Sequence, residues 1–130
     1  MVSALARKIR QYGFRILYFD GKYQHIHSSK FEMPPKIIEH KPDIVGVKGD
    51  DYFCIGEAKT SSDIFSKRTR TQIADFLMLV KTNPGNKLLL GIPIKSKNDL
   101  QYLLTKLGYQ YENQIEIMYF PDKLLPHEEI

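Results

Sequence analysis

The stretch from Pro42 to Lys59 restricts the fold of this chain more than any other part of its sequence. It contains an apolar run, a Gly-Asp turn and a second apolar run, which together form the pattern of a β-hairpin. Asp43 opens the first strand, and Glu57 and Lys59 end the second. Because side chains two positions apart share one face of a strand, Glu57 and Lys59 should point the same way. The hairpin should bring Asp43 beside them, so that two carboxylates and an ammonium group meet at strand ends.

Pro42-Asp43, followed after a strand and a tight turn by Glu57-Ala58-Lys59, resembles the motif of the PD-(D/E)xK nuclease superfamily. The resemblance covers this short motif and not the whole chain. It implies an α/β restriction-endonuclease-like fold with an αβββαβ core, in which helices flank a central mixed sheet. The alternative is a surface ion pair between Glu57 and Lys59, with Asp43 capping a turn. The motif continues an apolar strand, however, and charges near a core are costly unless they are paired or bound to metal.

The rest of the sequence predicts helices and strands that agree with this core. The expected order is a helix at Ser3–Tyr12, a strand at Phe14–Phe19, a short strand at Tyr23–His27, the hairpin, a helix at Ile64–Lys81, a central strand at Lys87–Ile94, a helix from a Ser96 cap through Leu107 and a strand at Ile115–Phe120. Ser61, Ser62 and Asp63 are N-cap candidates for the long helix. Its apolar stripe is expected at Phe65, Ile73, Phe76, Leu77 and Val80. Residues 1–130 are expected to form a single domain, with an extra helix and strand after the nuclease-like core.

The resemblance also assigns chemistry to the motif. Asp43 and Glu57 would hold Mg²⁺ or Mn²⁺, and the backbone carbonyl of Ala58 is suggested as a third ligand. Oxygen ligands favour these hard cations, which neutralise charge on a phosphodiester and lower the pKa of a bound water. Lys59 could orient or deprotonate that water, or stabilise the transition state. The implied activity is that of a Mg²⁺-dependent endonuclease acting on DNA.

Many members of the superfamily carry a further acid upstream, often in the first helix. The first helix of this chain contains no acid. Glu39, four residues before Asp43, is therefore the substitute that we expect, and Glu32 and Asp20 are weaker options. Without an acid at this position, a second metal ion would be poorly held.

Segregated positive charge points to a partner with a phosphate backbone. The net charge is +4, the first helix is basic and the acidic residues collect toward the C-terminus. The candidate nucleic-acid-binding residues are Arg7, Arg10, Lys67, Arg68, Arg70 and Gln72. Gln72-Ile-Ala-Asp-Phe76 also resembles the Gln-x-x-x-Tyr motif of RecB-like and lambda-exonuclease-like nucleases, with Phe in place of Tyr. Arg68 and Gln72, one helical turn apart, would then face the scissile phosphate; a plain polar helix face is the alternative.

The resemblance leaves the partners and the substrate open in part. Small basic members tend to be symmetric homodimers, and Lys87–Ile94 or Ile115–Phe120 could supply a sheet edge or face for a second copy. Junction resolvase-like and restriction-like substrates both fit, as does RNA, and a binding module without activity is a further alternative. A single cysteine, Cys54, is expected to be a buried thiol in a reducing, cytoplasmic protein. No signal-peptide or membrane-spanning pattern is expected.

Overall fold

The computed structural model describes residues 1–19, 42–49, 51–108 and 114–121, which form three α-helices and a five-stranded sheet. The elements are α1 (Val2–Gln11), β1 (Arg15–Phe19), β2 (Ile44–Lys48), β3 (Tyr52–Ala58), α2 (Lys67–Val80), β4 (Lys87–Pro93), a short 3-10 helix (Ile94–Ser96), α3 (Lys97–Lys106) and β5 (Ile115–Phe120). The predicted α/β class, a mixed sheet flanked by helices, is confirmed. The order α1-β1-β2-β3-α2-β4 is also the order that the sequence predicts for the core.

The sheet is mixed because its two halves are connected differently. Its strands lie in the order β1-β2-β3-β4-β5. Short connections suffice for antiparallel pairs, and β2 and β3 form the expected hairpin, in which Ile44 lies opposite Gly56. The β3–β4 and β4–β5 pairs are parallel, and α2 and α3 provide the crossovers that parallel pairs need. Asp43, just before β2, consequently lies beside the C-terminal end of β3.

The two faces of the sheet carry separate hydrophobic clusters. One cluster packs α1 against the sheet, with Leu5, Ile9 and Cys54 among its buried members. Cys54 is fully buried, as predicted. The approach is close at Gly46, where an added methyl group would come within 2.8 Å of the Ile9 side chain. A glycine is therefore needed at this position for α1 to pack directly on the hairpin.

The opposite face carries α2 and α3. Ile55 of β3, Leu90 of β4 and Phe76 of α2 belong to the cluster that joins these elements. Phe76 is fully buried, so the aromatic residue in the Gln-x-x-x-Tyr-like segment belongs to the core. Since Glu57 lies two residues after Ile55, it points to the same side as α2. The hairpin thus presents its terminal charges to the face that α2 covers.

The long helix begins later than the sequence predicts. We expected it to start at Ile64 with a cap at Ser61, Ser62 or Asp63, but α2 begins at Lys67 with Ser66 as its N-cap. Ser66 has extended backbone, and its hydroxyl accepts a hydrogen bond of 3.0 Å from the Thr69 N–H. Asp63 instead accepts hydrogen bonds from Thr60, which hold residues 60–63 in a turn.

Two other expectations about the helices require correction. Phe65 was assigned to the apolar stripe, but it precedes the helix and its side chain is 70% exposed. Ser96 does occupy the N-cap position of α3, yet its side chain makes no capping hydrogen bond. Its hydroxyl donates instead to the Ser61 hydroxyl, at 3.2 Å. This bond links the start of α3 to the turn that follows β3.

The position of β4 in the sheet changes the expectation about a dimer. β4 is an interior strand of the sheet, as predicted, because it lies between β3 and β5. All its residues after Lys87 are buried within this chain. The buried part of β4 therefore offers no edge or face to a partner, although Ile94, just after it, is exposed. Among the described residues, β5 is the last strand of the sheet, and its side chains are partly exposed.

Several expectations fall on residues outside the described ranges. These are the short strand at Tyr23–His27 and the candidate upstream acids Glu39, Glu32 and Asp20. Among the described residues, no helix combines the length and the apolar character needed to cross a membrane.

Candidate active site

The structure brings Asp43, Glu57 and Lys59 together at one end of the hairpin. The pairing of β2 with β3 sets Asp43 next to Glu57, and alternation along the strand turns Glu57 and Lys59 to the same side. Glu57 is 3% exposed and Lys59 is 9% exposed, although both are charged residue types. Such burial is rare for Glu and Lys unless the groups are paired. The three residues therefore form an interacting group and not a solvated surface pair.

Backbone hydrogen bonds hold the two carboxylates in place. The N–H of Asp43 donates to Glu57 Oε2 over 3.3 Å, and the N–H of Ala58 donates to Asp43 Oδ2 over 2.9 Å. Each carboxylate is thus tied to the strand that carries the other. This exchange ties both side chains to the backbone and keeps the two carboxyl groups close together. It also joins Ala58, the suggested third ligand, to Asp43.

Lys59 is held from three directions. Its Nζ lies 3.7 Å from Glu57 Oε1 and donates a hydrogen bond to Gln72 Oε1 of α2. Its backbone N–H donates to the carbonyl of Gly91 in β4, at 2.9 Å. Gln72 is itself 3% exposed. The sequence leaves Gln72 open between a phosphate contact and a plain polar helix face; in the structure its amide oxygen accepts a hydrogen bond from the ammonium group of Lys59.

The environment of Glu57 disfavours its ionised form. The pKa of Glu57 is raised from 4.5 to about 8, first by burial and then by the negative charge of Asp43, and the positive charge of Lys59 offsets these effects only in part. A site that raises the pKa of an acid in this way gains stability when a cation joins it.

The pKa shift predicts how stability should depend on pH when no metal is present. Between the unfolded pKa of 4.5 and the folded pKa of about 8, the folded protein keeps a proton on Glu57 that the unfolded chain has released. The free energy of unfolding should therefore fall as the pH rises through this window, and Glu57→Gln should weaken that fall. Urea unfolding in EDTA at about pH 5 and about pH 8 measures it. Asp51→Asn, at an exposed turn of the same hairpin, is the control. An equal pH dependence in wild type and Glu57→Gln would contradict the assignment.

An open pocket of about 410 Å³ lies in front of these residues. We call it the carboxylate pocket; Asp43, Glu57 and Lys59 form one side, and the segment after β3 with the first turns of α2 forms the other. That second side consists of Asp63, Ser66, Arg68, Thr69 and Gln72. Hydrogen bonds from the Thr60 side chain and backbone, with the charges of Lys59 and Arg68, lower the pKa of Asp63 despite its partial burial.

Three residues of this pocket were not predicted from the sequence: Asp63, Ser66 and Thr69. One signal was present: Thr69 and Gln72 lie three residues apart on a helix whose neighbouring face is apolar, and both are buried. Polar side chains at that spacing share a face with Arg68, so the pattern that singled out Arg68 and Gln72 also included Thr69. Asp63 had no comparable signal, because it was interpreted as a helix cap.

The donor set suits a single hard divalent cation. Among the described residues, no group of three or more His, Cys, Asp and Glu side chains is placed to hold a metal ion. The side chains there that could hold a metal ion are the two carboxylates of Asp43 and Glu57. Mg²⁺ is commonly bound through one or two carboxylates together with waters and substrate phosphate oxygens, and the open pocket leaves space for those. The residues therefore fit Mg²⁺ or Mn²⁺, and they do not resemble a structural zinc site.

The candidate nucleic-acid-binding residues do not all lie together. Arg68 and Gln72 line the carboxylate pocket, and Lys67 is exposed beside them at the start of α2. Arg70 is exposed but lines a different pocket, between α2 and α3. Arg7 and Arg10 are exposed on α1, across the sheet from α2. Of the arginine and lysine residues among these candidates, only Arg68 lines the carboxylate pocket. The others lie farther out or on the layer across the sheet.

No relative with this arrangement of strands and site residues was identified among known proteins. Comparison of the chain with protein-family models, with curated protein sequences and with solved structures finds no significant match.

Proposed function

We propose that this chain is a metal-dependent nuclease of the restriction-endonuclease-like kind, which hydrolyses phosphodiester bonds in DNA in the cytoplasm. One observation carries the proposal: a buried carboxylate, a second carboxylate and a buried ammonium group meet at one open pocket. The raised pKa of Glu57 supports it, because perturbed acids in clefts are typical of functional sites. The element order α1-β1-β2-β3-α2-β4 is also the order expected for this fold.

Each residue has a distinct role in the proposed reaction. Asp43 and Glu57 hold Mg²⁺ or Mn²⁺, aided by the Ala58 carbonyl. The cation, when bound, supplies charge neutralisation at the phosphate and a more acidic water. Lys59 carries a compact positive charge beside Glu57, where it stabilises charge that develops on the phosphoryl oxygens or orients the attacking water. Gln72 holds the Lys59 Nζ in position.

Arg68 supports nucleic acid as the substrate. It is exposed at the side of the carboxylate pocket, where it can contact a phosphate next to the scissile one. The overall charge of +4 attracts the polyanion over a longer range. A small acidic metabolite would not require this distribution of charge.

The direct test is cleavage by the purified chain. Branched, linear duplex and single-stranded DNA, and matched RNA, are incubated with Mg²⁺, with Mn²⁺ and with EDTA. We expect cleavage of DNA with either cation and none in EDTA. Binding of DNA without cleavage under all conditions would favour a non-catalytic binding module. Preferential cleavage of RNA would favour an RNA-directed nuclease.

We also propose that two copies assemble when both strands of a duplex are cut, because each chain carries one such pocket among its described residues. The outer side of β5 supports this, because β5 is the last strand of the sheet among the described residues and a second sheet could continue there. Light scattering should show a dimer, and a mixed dimer with one Lys59→Ala subunit should nick a symmetric substrate on one strand. Full double-strand cutting by a stable mixed dimer would contradict paired sites.

A further inference from the structure

The segment at residues 63–70 lines two different pockets. Asp63, Ser66 and Arg68 face the carboxylate pocket, whereas Phe65 and Arg70 face a second, smaller pocket of about 120 Å³. Consecutive Cα atoms lie about 3.8 Å apart, so Phe65 and Ser66 set the two pockets directly beside each other. A ligand longer than one phosphate would have to cross this segment to occupy both pockets.

The second pocket combines exposed aromatic rings with positive charge. We call it the aromatic pocket; it is lined by Phe65 and Arg70, by Asp99, Tyr102 and Lys106 of α3, and by the buried side chains of Ile64 and Leu103. Phe65 is 70% exposed and Tyr102 is 62% exposed. Neither belongs to the two buried clusters of the described residues, so neither is explained by core packing. A single exposed aromatic residue is ordinary on a protein surface, but two that line one pocket beside the proposed active site are not.

Charge complementarity selects the kind of ligand. The aromatic pocket has two cations, Arg70 and Lys106, against one acid, Asp99. The Lys106 Nζ lies 5.2 Å from the centre of the Tyr102 ring, so positive charge and an aromatic face occur at the same place. Aromatic rings for stacking, with cations for the backbone, are the combination by which proteins bind single-stranded nucleic acid. A neutral apolar ligand would not use the cations.

We propose that the aromatic pocket binds an unpaired base of the DNA strand whose phosphate lies in the carboxylate pocket. This inference rests on the proposed function, because that function places the strand in the neighbouring pocket. The bases of a continuous duplex have both faces covered by their neighbours and cannot stack on Phe65 or Tyr102. The favoured substrates therefore contain a single-stranded region beside the cleaved bond, such as a free strand, a flap or an opened junction.

Tryptophan substitution gives a direct readout of stacking. The chain contains no tryptophan, so a single introduced one is the only indole signal. In Phe65→Trp, oligo-dT added in EDTA should quench the fluorescence in a saturable manner, and a blunt duplex should quench it much less. Met78→Trp is the matched control, because Met78 is 64% exposed on α2 but lines a different surface pocket. Its fluorescence should not change. Equal responses at positions 65 and 78 would overturn the proposal.

Affinity measurements test the energetic part of the inference. Phe65→Ala and Tyr102→Ala should each weaken binding of oligo-dT about tenfold, because base–aromatic stacking contributes at about this level. Binding of blunt duplex should be unchanged, and Met78→Ala should have no effect on either ligand. All three side chains are exposed, so the variants should fold. Unchanged affinity for oligo-dT in both aromatic variants would overturn the proposal.

Other outcomes separate this inference from the proposed function. Quenching at position 65 without cleavage in Mg²⁺ or Mn²⁺ would support base binding and contradict the nuclease. Cleavage by the wild type without quenching at position 65 would support the nuclease and contradict base binding in the aromatic pocket. Stronger quenching by oligo-rU than by oligo-dT would overturn DNA as the ligand. Loss of a dimer in Phe65→Ala, measured by light scattering, with no effect on oligo-dT binding, would show that a second copy of the chain covers this surface instead.

Discussion

Replacement of Lys59 by alanine should lower the rate of DNA cleavage by about 10²- to 10³-fold, which is the usual cost of removing one group that stabilises developing charge. The ammonium group lies beside Glu57 and is held by Gln72, so it is already positioned before substrate arrives. A group that acts mainly in the transition state affects kcat more than substrate binding. DNA affinity should consequently change little. Single-turnover cleavage and fluorescence anisotropy measure the two quantities separately.

The control for Lys59 is Lys48→Ala, since Lys48 is an exposed lysine at the opposite end of β2 in the same hairpin. This variant removes a similar positive charge without touching the carboxylate pocket. Its cleavage rate should stay within about twofold of the wild type, as expected for a surface charge. If Lys59→Ala cleaved as fast as Lys48→Ala, Lys59 would be an ion-pair partner of Glu57 and nothing more.

Replacement of Asp43 by alanine should weaken Mn²⁺ binding by more than about 100-fold, because one of the two side-chain ligands is lost. Removing the charge of Asp43 should also bring the pKa of Glu57 closer to its usual value. The second effect separates loss of a ligand from general unfolding, because it appears in the folded protein. Calorimetric titration with Mn²⁺ measures the first effect, and the pH dependence of unfolding in EDTA measures the second.

Two further carboxylates make this test specific. Asp51 is exposed in the turn of the hairpin, and Asp51→Asn should bind Mn²⁺ like the wild type. Asp63 lines the carboxylate pocket but is held by Thr60, so Asp63→Asn should bind Mn²⁺ with only modestly reduced affinity. Equal titration curves for the wild type and Asp43→Ala would exclude Asp43 as a metal ligand.

Local patterns in the sequence were sufficient to predict the hairpin. The turn, the two apolar runs and the two-residue alternation all act within a few residues, so they set the β2–β3 register and bring Asp43 to Glu57. The predicted bounds of β5, Ile115–Phe120, agree with those observed, because Pro121 follows a short segment that is apolar apart from Glu116. The alternation also placed Lys59 beside Glu57.

Features that depend on distant contacts were not predictable in this way. The start of α2 depends on whether the Asp63 carboxylate caps the helix or accepts hydrogen bonds from Thr60. In the structure it accepts them from Thr60, so the helix begins later. The contact of Gln72 with Lys59 depends on how α2 lies across the end of β3, which no spacing in the sequence specifies. The interior position of β4 was predicted from its apolar run, but its neighbours were not: β5 pairs with it on the side away from β3. Apolar strands look alike in sequence whether they lie at an edge or in the interior.

The bond between the Lys59 N–H and the Gly91 carbonyl has a consequence for the time course of folding. A hairpin such as β2–β3 forms locally, within about 1–10 μs, and it can bring the two carboxylates together early. Parallel pairing of β3 with β4 must wait until the whole crossover through α2 has closed, and such nonlocal pairing is slow. A chain that is only partly folded, including one still being synthesised, would hold both carboxylates but would not yet have Lys59 fixed in place. The last of the three groups is therefore positioned only when most of the sheet exists, which makes any chemistry at this pocket conditional on a completed fold.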